Sequence, residues 1–125
     1  MEQIELNRDE SIAGVDKQIG RLEDFLKENN MWENTILIVL SDHGDNFGEH
    51  ETYFCRGGLY DSSVHVPLVV RIPGVKPGKV DALTQSIDIP ATILDILKEK
   101  GYKIDGKSLL EVVKSNKGRE EVFFI

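Results

Sequence analysis

One cysteine, Cys55, is all the sequence holds among 125 residues. An internal disulfide is therefore impossible, and a metal site built only of thiolates within one chain is excluded. A lone thiol fits a cytosolic protein and equally a piece cut from a longer one, so the redox compartment stays open. Long hydrophobic runs are missing too. No apolar run approaches the roughly 20 residues a membrane span requires, and the amino terminus, MEQIELNRDE, is polar and acidic, unlike a signal peptide. Any export signal is expected to lie outside these residues. Nor is there an excess of positive charge. The formal net charge is −7, with acidic residues scattered among lysines and arginines, which leaves no electrostatic footprint for nucleic acid or anionic lipid. Internal repeats are absent. At 40% apolar composition the chain suffices for one small core, and a single domain over residues 1–125 is expected.

What is present reads as alternating helix and strand. Ile12, Val15, Ile19, Leu22 and Leu26 recur at steps of three and four with charged residues between them, which predicts an amphipathic helix from about Asp9 to Glu28. Asn29-Asn30 breaks that period, and Trp32 is expected to pack across the turn. Thr35–Leu40 (TILIVL) is a short β-branched run bounded by turn residues and reads as a buried strand. Val66–Ile72 (VPLVVRI), closed by Pro73-Gly74, is a second strand. Asp88 looks like an N-cap with Pro90 in the first turn, opening a helix of about ten residues with Ile89, Ile93, Leu94, Ile96 and Leu97 on its apolar face. Ser108–Lys114 is expected as one short helix and Glu121–Ile125 as a final strand. The expected fold class is α/β, a mixed sheet flanked by helices.

The first strand runs directly into Ser41-Asp42-His43-Gly44-Asp45, so its end delivers a carboxylate and an imidazole side by side at a sheet's carboxyl edge, where open α/β sheets keep their chemistry. Asp42 and His43 offer one hard oxygen and one borderline nitrogen to a divalent cation. The plainer alternative has Asp42 capping the turn and His43 hydrogen-bonded to backbone. Asp45, Glu49, His50 and Glu51 are further candidate ligands or simply a solvated acidic loop. Residues 41 to 63 carry glycines at 44, 48, 57 and 58 and no clear period, and a connection of that length is usually functional or disordered. Within it, Arg56 beside Gly57-Gly58 offers a planar fork of donors to an oxyanion. Tyr60 and Asp61 are expected to order the loop. His65 is a ligand, a base or a structural histidine, the last being the commonest role. Cys55 lies near Arg56 but has no histidine or asparagine at a recognised offset, which argues against a catalytic thiol.

Taken in order, these residues resemble the carboxyl-terminal half of the catalytic domain of the sulfatase family, within the alkaline phosphatase superfamily. The resemblance runs from Gly14-Val15-Asp16 and Ile19-Gly20-Arg21-Leu22 through Leu40-Ser41-Asp42-His43-Gly44-Asp45, Gly48-Glu49-His50, Gly58-Leu59-Tyr60-Asp61 and His65-Val66-Pro67-Leu68. It continues at Pro73-Gly74, Asp88-Ile89-Pro90-Ala91-Thr92 and Asp105-Gly106-Lys107-Ser108-Leu109. Each motif alone is weak, and their joint order is specific. The resemblance implies an alkaline-phosphatase-like sandwich, of which this chain forms part, with Asp42 and His43 as one pair of metal ligands. Many sulfatases carry Asn at the second position and bind calcium, whereas the Asp-His form resembles the phosphonate and phosphodiester hydrolase branch, which uses softer ions such as manganese. Calcium or manganese is therefore the implied cofactor. Arg56 falls where relatives place a Lys or a His that contacts the transferred sulfuryl or phosphoryl group.

In such enzymes the nucleophile is a formylglycine made within a Cys/Ser-x-Pro-x-Arg motif near the amino terminus. None of the four prolines here sits in such a motif, so the chain alone is expected to be inactive. The expected partners are a sulfate or phosphate ester and the missing amino-terminal half of the domain. Uncovered strand edges and apolar faces favour self-association into a homo-oligomer. Two other readings stand beside the sulfatase one: a phosphonate or phosphodiester hydrolase, or a phosphoglycerol or phosphoethanolamine transferase, of the same superfamily; and a non-catalytic α/β module whose loop binds a partner or an anion.

Overall fold

The computed structural model describes residues 2–48, 51 and 58–122. The chain divides into two compact units, Met1–Val75 and Lys76–Ile125.

The first unit opens with helix α1, Glu2–Glu28. It begins a full two turns before the start expected from the apolar period, because residues 2–8 hold no glycine or proline to stop it and helix formers such as Glu, Leu and Arg dominate there. Of the apolar face only Leu26 is buried within the described residues, while Ile12, Val15, Leu22 and Phe25 stay exposed. Lys27 in the last turn pairs with Glu23 one turn back at 2.6 Å, in the favourable order of acid before base. Asn30 takes up a positive φ of 56° and Met31 N–H returns to Leu26 O at 2.8 Å, which reverses the chain. A single 3₁₀ turn, Trp32–Asn34, follows.

Strand β1, Leu37–Leu40, starts two residues later than its apolar run, because Thr35 is spent closing the 3₁₀ turn: its N–H bonds Trp32 O and its Oγ1 donates to Met31 O. The one-turn helix α2, Asp61–Val64, was not expected from the sequence, and strand β2, Leu68–Arg71, follows Pro67. The two strands pair antiparallel, with Leu37 opposite Arg71 and Leu40 opposite Leu68. Trp32 lies beneath Arg71, whose guanidinium carbon is 3.9 Å from the ring centroid, with Lys27 Nζ 5.2 Å from it. Arg71 Nη1 also donates to Trp32 O at 2.5 Å and Thr35 O at 2.7 Å. One side chain thus ties the 3₁₀ turn to the end of β2 by two carbonyl bonds and a cation–π contact.

The second unit holds helices α3, Asp88–Leu97, and α4, Leu109–Ser115. Asp88 is not the N-cap of α3. That position is Ile87, and Asp88 stands in the first turn with its carboxylate 1% exposed. It accepts Gln85 N–H at 2.8 Å, Lys107 N–H at 2.7 Å, and Arg119 Nε and Nη2 at 3.1 and 2.5 Å. Burial alone pushes this carboxyl group up, but the Arg119 guanidinium and the Lys107 and Gln85 N–H groups overcome it and hold the group below the ordinary carboxylate value. Thr92, equally buried, donates to Asp88 O and accepts Leu109 N–H, which joins the start of α4 to α3. Ser108 caps α4 through Leu110 N–H, and Leu109 and Val112 are the buried apolar residues of this unit. Gly106 passes so close to α3 that a Cβ there would meet Ile87 O at 2.0 Å. The strand expected over Glu121–Ile125 is not formed at Glu121 and Val122, and residues 123–125 lie outside those described.

Candidate functional site

The carboxyl end of β1 turns at once into Ser41-Asp42-His43-Gly44. Ser41 Oγ donates to His43 O at 2.6 Å, and Asp42 Oδ1 accepts the His43 N–H at 3.0 Å, so the turn is closed by its own side chains. His43 Nδ1 lies 3.0 Å from Gly44 O. A carbonyl oxygen can only accept, so Nδ1 carries a proton, and in the neutral ring Nε2 then presents a lone pair. That Nε2 is 3.7 Å from Asp42 Oδ2. The Asp42 side chain is 87% exposed and that of His43 31%.

The turn is pinned to α2 from below. Gly44 N–H donates to Ser63 O at 2.8 Å, and a Cβ on Gly44 would meet Ser62 O at 2.0 Å, so no larger residue fits without displacing backbone. Two residues on, Asn46 is wholly buried. Its Nδ2 donates to Ser63 Oγ at 3.1 Å, and its Oδ1 accepts a short hydrogen bond from Ser62 Oγ. Arg8 of α1 places its guanidinium carbon 5.2 Å from the centroid of the Phe47 ring, the next residue of the same loop.

The structure shows the plainer alternative for Asp42 and His43. Asp42 does cap the turn and His43 does bond to backbone, and those bonds use Oδ1 and Nδ1, leaving Oδ2 and Nε2 facing one another. Their spacing and chemistry fit a divalent ion, since one cation at metal–ligand distances of about 2.0–2.5 Å can touch both. No third aspartate, glutamate, histidine or cysteine joins them among the described residues. Asp45 is exposed, and His65 is exposed as the C-cap of α2. Glu51 is exposed with a positive φ of 57°. Tyr60 is 39% exposed and its ring lies against Gly58. Glu49, His50, Cys55 and Arg56 lie outside the described residues. Asn46, Ser62 and Ser63 were not singled out by the sequence, since their partners are 16 and 17 residues apart and no local spacing marks them.

The family model described as Sulfatase matches residues 3–100. The chain belongs to the sulfatase family. Among its sulfatase relatives are a sulfatase of Formosa agariphila, 32% identical over 116 residues, and a choline-sulfatase of Rhizobium meliloti, also 32% identical over 116 residues. These cover 91% and 90% of this chain but 23% and 22% of the relatives, so the chain spans about a quarter of their length. A solved structure, the phosphonate monoester hydrolase from Silicibacter pomeroyi, matches with a TM-score of 0.73 and 36% identity over 87% of this chain and 22% of that one. The sulfatase-family chain therefore has the α/β architecture of the alkaline phosphatase superfamily, and among the described residues its sheet is the antiparallel pair β1–β2. No helix among the described residues is long and apolar enough to cross a membrane.

Proposed function

We propose that this chain supplies one part of a metal-dependent sulfuric ester hydrolase site, with Asp42 and His43 as metal ligands and Arg56 as a cation for the transferred group. In this reading residues 1–125 correspond to the carboxyl-terminal part of a sulfatase catalytic domain. The observation that carries it is the facing pair, Asp42 Oδ2 and His43 Nε2 at 3.7 Å, at the end of β1 in a chain of this family. A divalent ion, calcium or manganese, bound here would neutralise charge on a tetrahedral ester. The chain's own residues do the positioning. Asp42 and His43 are held by backbone, so their donor atoms need little reorganisation, and the planar guanidinium of Arg56 can donate to two ester oxygens at once. The nucleophile and the remaining ligands belong to the amino-terminal half that the reading requires.

Activity of the chain alone, and of the chain mixed with an amino-terminal half carrying the nucleophile motif, on an aryl sulfate with calcium or manganese tests the proposal. Activity in the mixture only, lost in Asp42→Ala and His43→Ala, supports it. A folded mixture that stays inactive with either metal counts against it.

The structural match to a phosphonate monoester hydrolase favours one further reading, phosphoryl in place of sulfuryl transfer. Sulfate and phosphate esters share tetrahedral shape and differ in charge. A mixture more active on phenylphosphonate than on the aryl sulfate would select that reading.

A further inference from the structure

A neutral imidazole has one proton to place, and each ring nitrogen of His43 has an oxygen nearby. Gly44 O lies 3.0 Å from Nδ1, a normal hydrogen-bond distance, and Asp42 Oδ2 lies 3.7 Å from Nε2, beyond one. If the proton sat on Nε2 it would be shared with the Asp42 carboxylate, the stronger acceptor because it is charged. The lone pair that a metal needs would then be gone. What decides between these states is where Gly44 O is held.

We infer that Asn46 is a positioning residue for His43: by bonding Ser62 and Ser63 it anchors the loop to α2, fixes Gly44 O against Nδ1, and so keeps the Nε2 lone pair facing Asp42. The Gly44–Asp45 peptide lies between two anchors, Gly44 N–H on Ser63 O and the Asn46 carboxamide on both serine hydroxyls. On the other side Asp42 and Asp45 are exposed, and the α2 face holds the turn. Asn46 is wholly buried and uses both ends of its carboxamide, an expensive arrangement for a residue that merely fills space. The inference deepens the proposed metal site and rests on it for its purpose, but its test needs neither metal nor substrate.

Long-range proton–nitrogen spectra of the metal-free 125-residue chain, at about pH 8.5 where imidazole is neutral, report which ring nitrogen of each of the three histidines is protonated. The expected result is His43 in the Nδ1–H form, shifted toward Nε2–H in Asn46→Ala and in the Ser62→Ala, Ser63→Ala double variant, with the exposed His65 unchanged. Ser62→Ala alone, which leaves Asn46 in place, carries the test if Asn46→Ala does not fold by circular dichroism. A native His43 in the Nε2–H form, or a tautomer unmoved in folded variants, overturns the inference. In the assembled enzyme, manganese affinity should fall about 10- to 100-fold in Asn46→Ala. Absence of any metal dependence together with the expected tautomer would instead sink the proposed function and leave the positioning role standing.

Discussion

Replacing Asp88 by asparagine changes side-chain volume hardly at all and removes one charge and one acceptor oxygen. The native carboxylate is 1% exposed and receives four hydrogen bonds, two on each oxygen: Lys107 N–H and Arg119 Nη2 on Oδ1, Gln85 N–H and Arg119 Nε on Oδ2. Whichever way the new carboxamide turns, its NH₂ meets two donors. Two bonds are lost outright, and the Arg119 side chain, itself 13% exposed, loses its hydrogen-bonded counter-charge and keeps only the field of Asp105. Removing one partner of a buried pair costs about 3–5 kcal/mol. That is comparable to the whole stability of a small unit. Urea unfolding followed by far-ultraviolet circular dichroism, which reads α3 and α4, should show a loss of that size in Asp88→Asn. A loss below about 1 kcal/mol would refute the reasoning, because it would mean the four bonds contribute no more than exposed ones. The pH dependence has a definite sign. A folded-state value held below the ordinary carboxylate value of about 3.9 gives stability that is fully present above that value and lost as pH falls through the lower, folded one. Native protein should therefore weaken below about pH 4, and the asparagine variant should show a smaller acid loss.

Other consequences can be checked one by one. Gly106→Ala forces a Cβ to within 2.0 Å of Ile87 O, so the 105–107 segment must leave Asp88; a loss of about 1–3 kcal/mol and faster amide exchange at Lys107 are expected. Gly44→Ala meets Ser62 O in the same way and should release the 42–46 turn from α2, read as loss of protection of the Gly44 amide on exchange in heavy water. Arg71→Lys keeps the charge but loses the planar stack on Trp32 and the forked pair of carbonyl bonds, with an expected cost of about 1–2 kcal/mol in the urea midpoint.

Much of the secondary structure could be read from spacing. The apolar period of α1, the β-branched run of β1, the Pro-bounded β2 and the ten-residue α3 all lie where local pattern places them, and the short helix expected over Ser108–Lys114 forms at Leu109–Ser115 with Ser108 as its cap. Boundaries moved where a residue had a competing use: Thr35 closes the 3₁₀ turn and so is withheld from β1. Asp88 is the instructive miss. Asp before Ile-Pro has the local look of a cap, but its real partners, Lys107 and Arg119, are 19 and 31 residues away, and no local rule sees them. The site divides the same way. Asp42 and His43 could be singled out as candidates because a strand ends just before them, and the structure shows the turn that their own side chains close. Asn46 and its serines could not, because the network closes only when α2 folds under the turn.

Trp32 has a use beyond holding Arg71. It is the sole tryptophan, and it belongs to the Met1–Val75 unit, whereas Asp88 and Arg119 lie in the other. Its fluorescence is thus an optical reporter on that unit. It follows the unit that holds the β1–β2 pair, whereas far-ultraviolet dichroism also reads α3 and α4. Superimposing an emission melt on a dichroism melt of Asp88→Asn would tell cooperative from stepwise unfolding with no label added: coincident curves mean one transition, and a tryptophan curve left behind means two.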